Sequence, residues 1–353
     1  YKGIAYNAHG RWREAINTHL ESGQEAQRAA DESRDRRGKV EALNRVASAI
    51  NQAAQVALLN GNTSMARGMA QKALQVWKVT ENPAGQAEAM MTQGRIAEME
   101  GEFQNATGYL EQAIAIYGRG VIPSEYGQAR AMMFLARVRR RQEQLDEAER
   151  MVRACLETFE QLGRKQQQAF ALSEWGIILR DRGYFAGAEA KLREALDIAK
   201  DIGDPYRQAE VLENLVVLAR KRGDSPEQVE GLLSQVEELA AKRDYKLFLG
   251  RAKEHRGEMA FEAGKYEEAF ANFAQACHYL AEYHSNFYRR FLNKVENKLY
   301  ELPWEEIPKY CDLLIEYWKE HGLGQRYPEM IQRAETARAL AQSLLGGGED
   351  VKS

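Results

Sequence analysis

Proline is scarce in this chain, seven in 353 residues, where average usage is about 5%. Few interior breaks leave room for long helices. Cysteine is scarcer still, with only Cys155, Cys277 and Cys311. They are odd in number and far apart, so no disulfide framework is expected, and a reducing, cytoplasmic setting fits. No run of about 18 apolar residues occurs, so no membrane-spanning helix is expected. No secretory signal is visible. Neither sign of charge prevails: 49 Lys+Arg stand against 52 Asp+Glu, a formal net charge of -3. That balance argues against nucleic acid or an anionic membrane as a whole-protein partner.

Catalytic signatures are missing too. There is no phosphate-cradling G-x-x-x-x-G-K-[ST], no G-x-S-x-G elbow and no Cys/His nucleophile pattern. His255 and Glu258 lie three apart on one helix side, and Cys277, His278 and His284 lie close in sequence. Neither group has the paired C-x-x-C or H-E-x-x-H spacing of a zinc site. The expectation is a protein that is not an enzyme and holds no cofactor and no metal.

What is present is an apolar fraction of 44% beside 29% charged residues, enough to bury a core. Length alone, at about 150 residues per domain, suggests two or three globular domains. Internal repetition replaces that estimate. Three segments align without a gap: Gly94-x6-Gly101-x-Phe103-x-x-Ala106, Gly176-x6-Gly183-x-Phe185-x-x-Ala188 and Gly257-x6-Gly264-x-Tyr266-x-x-Ala269. Leu110, Leu192 and Phe273 follow each alanine, then Ala113, Ala195 and Ala276. Weaker copies run through Ala136, Leu145 and Ala148, and through Ala54, Gly61 and Ala66. A copy near Gly223 slips by one residue and carries Pro226. The first copy is Gly10-x-Trp12-x-x-Ala15, and the last runs through Trp304, Ile307, Cys311 and Leu314.

Apolar residues at three- and four-residue spacing on both sides of each turn make one unit a helical hairpin. Gly101, Gly183 and Gly264 end the first helix in a left-handed cap. Gly94 and its equivalents let two helices approach closely. Pro83, Pro123 and Pro205 fall between hairpins. Helices are therefore expected near 39–60, 63–80, 84–100, 103–117, 125–142, 145–162, 165–182, 185–202, 206–222, 226–242, 246–263, 266–282, 285–300, 304–321 and 326–345. Residues 11–35 form a long second helix of a truncated opening unit.

These residues resemble the tetratricopeptide repeat family, in a long-helix variant of about 40 residues against the usual 34. The resemblance implies an all-α fold, a right-handed superhelical α-solenoid of about eight hairpins over residues 1–321. A capping helix over 322–345 and a flexible tail over 346–353 would follow. Long-helix variants are similar to the sensor arms of bacterial signal-transducing, MalT-like ATPases. Peptide-pheromone receptors and kinesin-light-chain-like adaptors are similar as well. That likeness implies the C-terminal sensor or interaction arm of a larger cytoplasmic signalling protein. A constitutive scaffold, or a regulatory solenoid fused to an enzyme domain, are the alternatives. Because the chain opens at Tyr1 within a partial unit, further chain is expected upstream.

In such an array the first helix of each hairpin lines the concave face. Repeat register puts Arg95, Arg130, Arg137, Arg140, Arg180 and Arg220 there, with Met133, Phe170, Ser173, Ile177 and Val217 among them. Glu210, Glu213, Glu254, Glu258 and Glu296 follow, so a basic centre and an acidic C-terminal end are expected. Arginine's planar fork suits carboxylate or phosphate. The partner would be a protein or peptide with an acidic segment, or a small anionic ligand. Charged helix residues equally make solvated faces and neighbour ion pairs. Reversing Arg137 and Arg140 to Glu is expected to weaken partner binding and leave melting unchanged. Tyr279, Tyr283, Phe287, Tyr288 and Phe291, like Trp304, Tyr310, Tyr317 and Trp318, have the spacing of hairpin core.

Overall fold

The computed structural model describes residues 12–119, 124–283 and 285–346. Tyr1 to Ala8, Gly10, Pro123, His284 and the tail from Gly347 onward lie outside the described residues, as does the side chain of Phe287. Two compact units divide the chain, Tyr1–Asp224 and Ser225–Ser353. Every described element of both is helical.

The first unit begins with α1 (Trp12–Glu32), packed on α2 (Arg36–Leu59). Next come α3 (Thr63–Val79), α4 (Pro83–Glu100), α5 (Phe103–Arg119), α6 (Glu125–Arg141) and α7 (Leu145–Gln161). The unit closes with α8 (Lys165–Asp181), α9 (Phe185–Asp201) and α10 (Pro205–Arg222). Helices pair as α2/α3, α4/α5, α6/α7 and α8/α9, and each second helix also touches the first helix of the next pair. The first helices α2, α4, α6, α8 and α10 contact one another in succession, forming one layer.

Local chemistry explains the regular cutting of the chain. Gly101 takes φ 84°, its N–H donates to the Glu98 carbonyl at 3.1 Å, and the Glu102 N–H reaches Ala97 at 2.8 Å. That is the paired hydrogen-bond pattern of a Schellman stop. Left-handed residues recur at positions 61, 81 and 101, and again at 143, 163, 183, 203 and 223. The spacing is twenty residues per helix and forty per hairpin. Asn62, Asn82, Ser124 and Asp204 cap the following helices by accepting from backbone N–H groups.

Packing shows why the repeated small residues are there. A Cβ on Gly94 would stand 2.7 Å from Leu110 Cγ, and one on Gly176 would stand 2.8 Å from Leu192 Cγ. Ala106, Leu110 and Ala113, and likewise Ala188, Leu192 and Ala195, are completely buried. Hairpins are tied by a contact that the repeat pattern did not announce. Gln86, Gln168 and Gln208 each donate through Nε2 to the carbonyl nine residues back, on Trp77, Phe159 and Ala199, at 3.2, 2.9 and 3.1 Å.

The second unit holds α11 (Pro226–Arg243), α12 (Lys246–Glu262), α13 (Tyr266–Tyr283) and α14 (Ser285–Tyr300). It ends with α15 (Ile307–Glu320), α16 (Leu323–Arg326) and α17 (Pro328–Gly346). Its core is aromatic: Phe270 stacks on Tyr310 at 4.9 Å, and buried Trp318 donates to the Ala274 carbonyl at 3.3 Å. Tyr288 and Phe291 are buried there as well.

Three expected boundaries move. A helix begins at Arg36, not 39, because Asp35 accepts from the Gly38 N–H at 2.7 Å and caps it there. Trp304 lies in a turn before α15 and is 40% exposed, so it is not hairpin core. The single helix expected over 326–345 is interrupted at Tyr327, where φ is -136°, and Pro328 opens α17.

Candidate functional site

Stacking sets the outward faces of the first helices side by side. In the first unit these faces enclose a cavity of about 300 Å³. Leu59 reaches it from the end of α2 and Arg95 from α4, while Arg130, Met133, Phe134 and Arg137 come from α6. Gln166, Gln167 and Phe170 enter from the start of α8, and Tyr206, Arg207 and Glu210 from the start of α10, with Phe159 and Asp204 completing the lining. The lining thus steps from helix ends toward helix starts as the array advances. It is a diagonal across five first helices.

Two rings form its apolar floor, Phe134 and Phe170, with centroids 6.0 Å apart. Guanidinium groups cover them: Arg95 lies 4.7 Å from the Phe134 centroid, and Arg207 lies 4.8 Å from that of Phe170. Cations over ring faces are attracted by the quadrupole.

The arginines differ sharply in their partners. Arg130 donates to both oxygens of Glu88, at 2.7 and 3.5 Å, while the Tyr117 hydroxyl donates to the same carboxylate at 2.9 Å. Arg137 Nη2 lies 3.2 Å from Glu98 and its Nε 3.4 Å from Glu174, both carboxylates being buried. Arg207 pairs with Glu210. Arg95 has no carboxylate within ion-pair distance among the described residues, and the side-chain amides of Gln166 and Gln167 have no hydrogen-bond partner there either.

Electrostatics follow this pairing. Burial, and then the charge of Arg137, bring Arg95 down to about 10, with Glu98 offsetting part and Arg130 adding to the fall. It stays protonated at neutral pH. Burial opposes the charge on Arg137 as well, yet Glu98, Glu174 and Glu210 together raise it above the ordinary arginine value. Burial also raises the Glu210 carboxyl, against the pull of Arg207 and Arg137.

Of the six arginines expected on this face, Arg95, Arg130 and Arg137 line the cavity. Arg140, Arg180 and Arg220 sit in the last turns of their helices and do not. Arg140 Nε is 3.4 Å from Glu174 and its Nη1 3.4 Å from Asp181, which Arg180 also meets at 2.8 Å. Arg220 is partly buried on α10. The expected acidic end is not a field of free carboxylates. Lys294, carried in by α14, lies 2.8 Å from Glu254 and also contacts Glu258, while Arg333 pairs with Glu296. His255 Nδ1 stands 3.7 Å from the same Glu258.

Phe134, Gln166, Gln167, Tyr206 and Arg207 were not singled out from the sequence. Register offers a signal for four of them: Gln166 and Tyr206 precede their left-handed glycines, Gly183 and Gly223, by equal intervals, as do Gln167 and Arg207. Away from the cavity, the three cysteines are buried and unpaired with one another, and Cys155 Sγ donates to the Ala129 carbonyl at 3.3 Å. Among the described residues, no helix is long and apolar enough to cross a membrane.

Comparison with known proteins places this geometry. Residues 45–119 and 127–201 match the tetratricopeptide repeat family model. No curated protein matches the chain. Among solved structures, a Rap protein complexed with competence and sporulation factor superposes with a TM-score of 0.62 at 11% identity, covering 97% of each chain. The Rap conjugation gene regulator of plasmid pLS20, in complex with the Phr* peptide, gives 0.57 at 15% identity and 97% of each chain. A signal transduction ATPase with numerous domains from Pyrococcus horikoshii, bearing a tetratricopeptide repeat sensor, gives 0.57 at 17% identity. That match covers 96% of this chain and 50% of the ATPase. At these identities the likeness is one of fold. The chain is an all-α solenoid of helical hairpins that carries tetratricopeptide repeats over residues 45–119 and 127–201.

Proposed function

We propose that the chain is a non-catalytic binding module whose first unit captures a peptide or protein segment on the face of its first helices. In this reading it serves as the sensor or interaction arm of a larger signalling protein. The observation that carries the proposal is the diagonal cavity, where aromatic rings, paired and unpaired guanidinium groups and two amides without protein partners meet. A site crossing five helices suits an extended segment, because each helix offers a separate set of contacts. The likeness to two Rap proteins solved with a bound factor or peptide, and to an ATPase with a repeat sensor, supports the reading.

Peptide display against the purified chain tests it. Enriched peptides should lose about ten-fold in affinity when Gln166→Trp fills the cavity mouth, since Gln166 is exposed and its replacement leaves the core alone. Peptides that bind this variant as tightly as the native chain would show that capture happens elsewhere, and the proposal would fail.

A further inference from the structure

We infer that the cavity selects a ligand bearing one carboxylate beside an aromatic or other apolar group, with Arg95 receiving the carboxylate. The inference rests on the reading above for the place of binding and adds the chemistry that is bound there.

The pairing of the lining arginines leads to it. Four arginines face the space, and three already hold carboxylates: Arg130 with Glu88, Arg137 with Glu98 and Glu174, Arg207 with Glu210. Only one guanidinium, that of Arg95, is left without such a partner among the described residues. A ligand carboxylate can therefore pair with Arg95 without displacing an existing partner. A dianion such as a phosphate would need a second free cation, or would have to strip one of the existing pairs. Stripping Arg137 would leave the buried Glu98 and Glu174 with only Arg141 and Arg140 as partners, which is costly.

Position reinforces the count. Arg95 lies over Phe134, 4.7 Å from its centroid, and the Phe134 and Phe170 rings with Met133 and Leu59 give the adjoining wall its apolar character. A carboxylate on Arg95 therefore brings its own neighbouring group against these side chains. Gln166 and Gln167 offer amide donors and acceptors from the start of α8. Burial and the charges of Arg137 and Arg130 depress Arg95, so an anion on it offsets that repulsion. A carboxylate meeting a guanidinium fork accepts two parallel hydrogen bonds.

The test uses 3-phenylpropionate as a probe, its uncharged amide, and inorganic phosphate. The Arg95 Nε–Hε resonance is followed by NMR on the full chain. A saturable shift with 3-phenylpropionate is expected, about ten-fold tighter than with either comparison compound. No saturable shift, or phosphate binding as tightly as the acid, would overturn the inference without recourse to any variant. Arg95→Met should abolish the response, read at the Gln167 amide, and binding that survives it would likewise count against the assignment. Peptides from the display selection distinguish a segment from a free acid as the source. Each Asp, each Glu and the C-terminus is neutralised in turn, and one position should dominate. Peptides blocked by Gln166→Trp yet indifferent to every neutralisation would sink the carboxylate inference while the capture reading stood. A free acid that saturates Arg95 while no peptide enters the cavity would do the reverse.

Discussion

Arg137 Nη2 lies 3.2 Å from Glu98 Oε1, joining helix α6 to the preceding first helix α4, while the same guanidinium reaches Glu174 on α8 at 3.4 Å. Glu98 is 4% exposed and Glu174 8%. One side chain thus holds three consecutive first helices in register. A buried pair contributes little beyond an apolar substitute, but removing one member leaves a charge without compensation.

Arg137→Met is therefore expected to destabilise the first unit by about 3 kcal/mol. Arg140 and Arg141 retain some hold on the two carboxylates. Arg137→Glu should cost more, because it sets a third carboxylate against them. This corrects the expectation that reversing Arg137 and Arg140 leaves melting unchanged. Guanidinium denaturation followed by circular dichroism measures both, and an unaltered midpoint for Arg137→Glu would refute the tie.

Glycines in this fold are not equivalent. Gly176→Ala would place a Cβ 2.8 Å from Leu192 Cγ and 3.1 Å from the Ala188 carbonyl. Overpacking of that kind costs about 1–3 kcal/mol. Gly108, inside α5, has nothing within 4 Å of an added Cβ. Gly108→Ala should instead stabilise by about 0.5–1 kcal/mol through helix propensity and a less flexible unfolded chain. Opposite shifts in thermal midpoint are the expected result.

Glu143 fills a turn position that glycine holds at 101 and 183, with φ 64°. An exposed glutamate there gains nothing to offset the crowding of its Cβ. Glu143→Gly should raise stability by about 1 kcal/mol. Equilibrium unfolding of the two chains side by side checks it, and a loss of stability would show that the turn needs the side chain.

Burial pushes the Cys155 and Cys311 thiols up to about 12, with Asp312 adding to the rise at Cys311, and it raises Cys277 as well. The folded state then holds these protons after an unfolded chain, titrating near 8.5, has released them. Stability from this source is complete below about pH 8.5 and falls as pH rises toward 12. Cys155→Ala should flatten that alkaline decline. In the native chain at pH 8 all three thiols should resist alkylation, and in denaturant all three should react.

The forty-residue frame was legible in the sequence because each unit must solve the same local problem. A residue that tolerates φ > 0 stops one helix, a cap starts the next, and small residues admit the neighbouring helix. Gly94 and Gly176 therefore announced their contacts with Leu110 and Leu192. Helix limits at Arg36 and Ile307, and the break at Tyr327, were harder to see, since competing caps and turns near the array ends depart from the repeat. Arginine roles were not legible at all. Glu98 and Arg137 are 39 residues apart, and Arg140 and Asp181 are 41, so only hairpin stacking brings them within reach.

By itself, then, the sequence determined the all-α fold and the length of its period, because short-range sterics and helical spacing act along the chain. Tertiary structure alone decided which of the arginines are already held. Arg130, Arg137 and Arg140 meet carboxylates from adjacent repeats, while Arg95 is left facing a cavity, because an ion pair depends on distances across helices that no linear pattern records.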